Sequence, residues 1–254
     1  MNYWKKGSSS NLNLGSKMIN AELNTPNLAR EFAASKSLVI DNYLNADYAE
    51  SLYNWFNYSM PENWWFASYR ATASGEGYED TKFINHSHDN KQIIEYEKEK
   101  ANYSLSKGHF AYMFDRTLDD HGSICTCVEC KLREFLSSEV NLSFLSGVTN
   151  EELTKTNELF ASRYTSGQFL GPHHDLNKGK IGFILNLTKD WLPQYGGMLH
   201  ILDKEYKQVK KVILPTFNRL TIFHIPSQYG IPHMVSHVNP AVQVNRVSYT
   251  GWLT

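Results

Sequence analysis

The chain has 254 residues, 41% hydrophobic and 13% aromatic, which is ample for a substantial core in one large domain or two small ones. A formal net charge of −1 and a pI near 6.8 give no global field for nucleic acid or an anionic membrane, and no local basic patch replaces it. Met1 to Ser16 lacks the apolar core of a signal peptide, no stretch reaches ~18 apolar residues, and an odd count of three cysteines argues against a secreted disulfide framework. A soluble, cytoplasmic protein with no membrane or nucleic-acid partner is expected.

In chain order, residues 1–36 are polar and turn-rich around Ser8-Ser9-Ser10 and Asn24-Thr25-Pro26 and read as a mobile or loosely docked arm. A single domain is expected over 37–254, opening with a strand at Ser37-Leu38-Val39-Ile40. Asn45 is placed to cap a helix over 46–57 whose apolar positions Ala49, Leu52, Tyr53 and Phe56 keep the helical period. The aromatic run Trp64-Trp65-Phe66, with Tyr69 and Arg70, reads as core packing, with a substrate mouth as its functional alternative. His86-Ser87-His88-Asp89 mimics a ligand cluster but lies in a polar, turn-like stretch, which suits a surface loop or lid.

Residues 91–103 are helix-like and mostly charged, and a further helix is predicted over 129–140 with Leu132, Phe135 and Leu136 buried. Between them His121, Cys125, Cys127 and Cys130 pack an imidazole and three thiols into ten residues. A Cys3His zinc site is chemically reasonable there, since thiolates select zinc; inert thiols at a helix start are the bland alternative, and redox chemistry a third. Thr149 and Glu152 have capping-box spacing for a short helix after Gly147.

From residue 158 the period changes to two. Strands are expected at 158–165, 181–188, 197–202, 207–214, 219–225 and 243–252, with Gly196-Gly197, Pro215 and Pro226 at turns. Lys204, Lys207, Lys210 and Lys211 alternate with Asp203 and Glu205 and read as a solvated hairpin. The fold class is α+β, mainly β: a double-stranded β-helix (jelly roll) over about 158–254, braced by N-terminal helices.

Within that segment His173-His174-Asp175, His233 and Arg246-Val247-Ser248 have the chemistry of a mononuclear iron oxygenase. Two neutral imidazoles and one carboxylate occupy one face of Fe(II) and leave adjacent positions open for co-substrate and O2. His173 and Asp175 are two residues apart, so an extended chain aims both to one side, with His174 as an outward spacer. Arg246 offers a planar fork to a carboxylate, with the Ser248 hydroxyl one pleat repeat away. Satisfied core polar residues are the alternative for the triad, and a surface cation for Arg246.

The stretches Tyr164-Thr165-Ser166-Gly167 through Pro172-His173-His174-Asp175, Phe183 to Thr188, Tyr195 to Leu199, Pro215 to Phe223, His233 to Val238 and Arg246 to Trp252 resemble the prolyl-4-hydroxylase-like branch of the 2-oxoglutarate/Fe(II)-dependent dioxygenases. The likeness runs from about Leu38 to Thr254 and is dense over 158–254. It implies His173, Asp175 and His233 as iron ligands and Arg246 as partner of the distal carboxylate of 2-oxoglutarate. Tyr164, Ser248, Thr250 and Asn186 are implied as further co-substrate contacts. His237, where many relatives carry Pro or Glu, stays an alternative ligand. Because Asp175 is present, oxygen transfer is expected and halogenation is not. The expected reaction is hydroxylation of an unactivated C–H of a peptidyl or free amino-acid side chain, with Fe(II), 2-oxoglutarate and O2. Alternatives are a small natural-product or nucleoside substrate, a cupin-like metal dioxygenase without 2-oxoglutarate, and a catalytically silent binding module.

Overall fold

The structure, a computed structural model, describes residues 18–71, 81–118, 125–225 and 230–254. Residues 1–17, His121 and Pro226 therefore lie outside it. Among the described residues no helix is long and apolar enough to cross a membrane.

Among the described residues five α-helices gather in the N-terminal part. The first, α1 (Thr25–Ser35), lies where the polar arm was expected. Asn24 caps it by accepting the Asn27 N–H at 3.1 Å, Pro26 sits in its first turn, and Phe32 is buried beneath it. Strand β1 (Ser37–Ile40) follows, then α2 (Ala46–Asn54), capped by Asn45 as predicted and continued by a π-turn over Trp55–Ser59. Helix α3 (Lys91–Ser106) is longer than expected. The helix predicted over 129–140 divides into α4 (Val128–Leu136) and α5 (Glu139–Thr149), with Ser138 capping the second. Gly147 and Thr149 thus end a helix, and the short helix expected after Gly147 is not formed.

Strands β2 (Phe66–Arg70), β3 (Lys82–Asn85) and β4 (Tyr112–Arg116) precede the jelly-roll strands. These are β5 (Thr156–Tyr164), β6 (Phe169–His173), β7 (Ile181–Asn186), β8 (Leu199–Leu202), β9 (Val209–Ile213), β10 (Arg219–His224), β11 (His233–Val235) and β12 (Arg246–Leu253). Every pairing among them is antiparallel, in the order β1-β10-β7-β12-β5-β4-β6-β11-β8-β9, with β2 on β4 and β3 on β2. The sheet curls into a half-barrel, the jelly-roll fold.

Two apolar cores explain why β12 is buried along nearly its whole length. Its Val247, Tyr249 and Leu253 face outward and pack with Phe32, Leu132, Phe135 and Leu145 from the helices. Arg246, Ser248 and Thr250 take the alternate positions and line the barrel interior, beside a second cluster that includes Phe114, Phe160, Tyr164 and Phe223. A sheet covered on both faces loses the polar alternation of a half-exposed strand.

Trp65 is 1% exposed and packs against Phe56 and under the Arg163 guanidinium, so it belongs to the core, whereas Arg70 at the end of the same run lines the cavity described below. Behind β4 and β5 lies a polar knot. Arg163 donates to Asp115 Oδ2 at 2.9 and 2.7 Å and forks onto Glu62 at 2.7 and 2.6 Å, while Gln168 donates to Asp115 Oδ1 at 3.1 Å. His86 Nε2 approaches the same Oδ1 at 3.0 Å, whereas His88 and Asp89 are exposed.

Candidate metal centre and its cavity

The pairing of β6 with β11 sets His173 directly opposite His233. Asp175 follows two residues past the end of β6 and reaches both imidazoles: its Oδ1 is 3.5 Å from His173 Nε2 and its Oδ2 is 3.5 Å from His233 Nε2. Ligand atoms of the three residues all lie within 4.8 Å of one another. Each imidazole spends Nδ1 on a backbone carbonyl two residues earlier, His173 on Gly171 and His233 on Ile231, both at 2.9 Å. A proton placed on Nδ1 by those carbonyls leaves both Nε2 lone pairs directed at the same point as the carboxylate, the tautomer a metal needs.

Burial opposes ionisation of Asp175, but the two imidazoles and, to a lesser degree, the nearby polar Trp252 indole hold its carboxyl well below the usual range. Burial and the neighbouring His173 push His233 down to about 4, so it stays neutral near pH 7. For His173 burial works against protonation and the Asp175 carboxylate overcomes it, raising the pKa. His237 is elsewhere: its ring stacks on Phe169 at 4.3 Å and its Nε2 bonds Asn102 Oδ1 at 2.8 Å.

The triad opens onto a cavity of about 1200 Å³ that runs over the inner faces of the paired strands β5 and β12. Arg246 stands at its closed end, opposite Tyr164 in the β12–β5 register, and is 1% exposed. Its guanidinium carbon lies 4.8 Å from the centre of the Tyr164 ring. The stem of Arg246 passes the Gly196-Gly197 turn. Both glycines have positive φ, 68° and 61°, and a Cβ on Gly197 would come 3.2 Å from the arginine Cδ. Burial lowers the Arg246 pKa and raises that of Tyr164 to about 12. The Arg246 Nε has no hydrogen-bond partner among the described residues. A buried guanidinium without a carboxylate is costly, so this end of the cavity fits a ligand carboxylate.

Ser248, next along the same face, shares a hydrogen bond of 2.9 Å with Ser162 on β5, a cavity-lining hydroxyl that the sequence did not single out. Only the strand register reveals that pair, because the two are 86 residues apart. Two sequence expectations need correction. Thr250 lines the cavity but donates its hydroxyl to the Phe183 carbonyl at 2.8 Å, leaving no proton for a co-substrate. Asn186 does not line the cavity; its amide donates to the Arg219 carbonyl at 3.3 Å. Cys125, Cys127 and Cys130 lie apart from this cavity, at the start of α4, and bring three sulfurs together. His121 of the expected Cys3His set is outside the described residues.

Residues 159–254 match the family model described as 2OG-Fe(II) oxygenase superfamily. No curated protein matches the chain by sequence. Among solved structures the chain is similar to a Pseudomonas putida prolyl-4-hydroxylase, with a TM-score of 0.52 and 14% identity over 91% of this chain and 98% of that one. It is similar to a Trichoplax adhaerens prolyl hydroxylase in complex with a hypoxia-inducible-factor peptide fragment, with a TM-score of 0.56 and 17% identity over 97% and 93%. A 2OG-Fe(II) oxygenase family oxidoreductase from Burkholderia pseudomallei gives a TM-score of 0.54 at 11% identity over 91% and 90%. At these identities the structural likenesses establish the fold, and the family model covers residues 159–254 of the 254.

Proposed function

We propose that this chain, whose residues 159–254 belong to the 2OG-Fe(II) oxygenase superfamily, is a dioxygenase that hydroxylates an unactivated C–H bond of a peptidyl or free amino-acid side chain. Fe(II), 2-oxoglutarate and O2 are what the family implies. His173, Asp175 and His233 would hold the iron, and Arg246 would hold the distal carboxylate of 2-oxoglutarate, with Ser248 and Tyr164 beside it. Bound there, the metal supplies O2 activation coupled to oxidative decarboxylation of the co-substrate. The chain's own part is to orient and to exclude water. The carbonyls of Gly171 and Ile231 fix the two imidazole tautomers, the Trp252 indole steadies Asp175, and the buried β5–β12 floor keeps solvent from Arg246.

One observation carries the 2-oxoglutarate reading: a fully buried Arg246 whose Nε lacks a partner, in the same cavity as a two-histidine, one-carboxylate cluster. A cupin-like metal site has no use for such a cation. The test is anaerobic titration with Fe(II) and 2-oxoglutarate, following the weak visible metal-to-ligand charge-transfer band. We expect a band in the wild type, none in Asp175→Ala, and a demand for far more 2-oxoglutarate in Arg246→Ala. Bound iron without a band would remove 2-oxoglutarate from the reaction.

The peptidyl or amino-acid substrate is supported by the wide cavity, walled by Phe110, Tyr112, Phe160 and Trp252, and by the peptide held in the Trichoplax enzyme to which the chain is similar. A small natural-product substrate is the second reading, supported by likeness to SnoN, an epimerase from nogalamycin biosynthesis, with a TM-score of 0.50 at 12% identity. Substrate-stimulated succinate release separates the two: prolyl peptides and free amino acids should stimulate it, and polyketide-like small molecules should not. We place the enzyme in the cytoplasm, which fractionation of expressing cells would check.

A further inference from the structure

Apart from the iron-type triad, the described residues hold one other cluster with three metal-ligating atoms: the sulfurs of Cys125, Cys127 and Cys130, all within 4.8 Å of one another. They are the only cysteines of the chain, none is in a disulfide, and all are partly exposed.

Their convergence follows from the local chain. Cys127 is the N-cap of α4, in extended conformation, and its Sγ accepts the Cys130 N–H at 3.4 Å, so the first turn of the helix carries Cys130 back beside it. Cys125 lies two residues upstream in a non-helical stretch, on the same side as Cys127 by the alternation of an extended chain. The Cys-x-Cys step looks tight in sequence, and this geometry accommodates it, because the third thiol arrives from a helical turn. Sulfurs bound to one tetrahedral zinc lie about 3.8 Å apart, given a Zn–S distance near 2.3 Å, so a small adjustment of side-chain rotamers closes the site. Three thiolates select a soft, closed-shell cation over the hard or borderline iron that the oxygen- and nitrogen-ligated triad takes.

We propose that Cys125, Cys127 and Cys130 form a three-thiolate site for zinc, separate from the oxygenase centre, with its fourth position filled by water or another donor. The site would fix the turn that starts α4, and that turn is tied to the barrel by hydrogen bonds. Glu129, fully buried between Cys127 and Cys130 in sequence, accepts the Thr117 hydroxyl at 2.7 Å, and that hydroxyl oxygen accepts the Ala161 N–H of β5 at 3.0 Å. A cation on the flanking sulfurs would therefore hold in place the turn from which Glu129 reaches, through Thr117, the strand that carries Ser162 and Tyr164.

The test uses the full chain purified under reductant, in the Asp175→Ala background so that the triad does not compete for metal. We expect about one zinc per chain retained through gel filtration. Cobalt(II) should give an intense thiolate-to-metal band in the near ultraviolet, which nitrogen and oxygen ligands cannot produce. Zinc should slow alkylation of the cysteines at least about tenfold, and because the chain has no other thiols the rate reports on this site alone. Cys125→Ser and Cys130→Ser should each lose the cobalt band and the protection. Should a serine variant fail to fold, removing zinc from the unsubstituted cysteines with a chelator and restoring it must abolish and return the protection. Absence of the cobalt band together with alkylation indifferent to zinc overturns the site. The oxygenase reading stands or falls separately, on the visible band of the Asp175-intact protein.

Discussion

The two ends of the cavity treat charge in opposite ways. At the closed end Arg246 is 1% exposed, Ser248 1% and Tyr164 3%. At the open end Arg116 lies 3.7 Å over the Phe160 ring and 5.4 Å from Phe83, which is 45% exposed, and Lys178 pairs with Glu158 at 2.9 Å while lying 5.1 Å from the centre of the Trp252 ring. A buried cation costs several kcal/mol unless an anion joins it, so the closed end is committed to one ligand chemistry. Exposed pairs and ring-stacked cations are worth about 1 kcal/mol or less. The open end is therefore energetically free to suit a primary substrate without disturbing the floor.

The contrast breaks most completely at the metal. Asp175→Ala removes the only carboxylate of the triad, and we expect iron retention to be lost and 2-oxoglutarate turnover to fall by about 1000-fold or more. Metal content after desalting and succinate release check the two parts. At the floor, Arg246→Gln should keep iron and raise the 2-oxoglutarate KM by about 100-fold, the value of a charge-assisted pair in a dry site. Arg246→Lys should recover only part of that, since an ammonium cannot make the forked contact. Equal loss in both variants, with iron also lost, would mean that Arg246 merely holds the barrel together.

The floor was also the legible end. His173 and Asp175 stand two residues apart, and Arg246 and Ser248 repeat that spacing on the last strand, so these short polar motifs are visible in sequence although the apolar alternation around them is lost. Ser162 and the influence of Trp252 on Asp175 were not legible, because each depends on which residue stands across a strand pair or past a strand end. The N-terminal half was harder. Helix α1 lies where an arm is expected because Asn24-Thr25-Pro26 has the same residues whether it forms a turn or, as here, an N-cap with proline in the first turn of a helix. Strands β2 and β4 each bury their three central residues, which erases the alternation that marks a strand. The aromatic run at 64–66 was ambiguous for another reason: a tryptophan in a core and one at a substrate mouth have the same sequence signature, and only the 1% exposure of Trp65 decides.

Between the two ends, Trp252 belongs to both: its indole helps keep the Asp175 carboxylate ionised and its ring stands at the mouth beside Phe160, 6.2 Å between centroids. Trp252→Phe keeps the ring and removes the N–H. Loss of outer polar support to a ligating carboxylate is expected to weaken metal binding by about tenfold, which iron titration of the two proteins checks. The 2-oxoglutarate KM measured at saturating iron should stay within about twofold, because Arg246 is untouched. Farther out, Arg116→Gln should leave substrate-independent succinate release unchanged and alter only the KM for the primary substrate, by a few-fold to about tenfold. A change in the 2-oxoglutarate KM on losing Arg116 would merge the two ends and end the comparison.

The smallest effect expected lies behind the wall, in the knot that holds β4 to β5. The Asp115 carboxylate, 3.0 Å away, raises the His86 pKa against the opposing effects of burial and of Arg163. Asp115 itself is held below its ordinary range: burial pushes it up, and His86 and Arg163 more than compensate, so it stays ionised throughout the range in which His86 titrates. A histidine whose pKa is higher in the folded than in the unfolded state stabilises the fold fully below the unfolded value, about 6.5, and loses that contribution as pH rises through the folded value. With Arg163 already neutralising Asp115, the histidine adds no more than about 1 kcal/mol. Urea unfolding of the wild type and His86→Gln should therefore differ most near pH 6 and converge above the folded pKa of His86. A difference that stays constant from about pH 5.5 to 9 would assign the whole effect to packing and none to the charge.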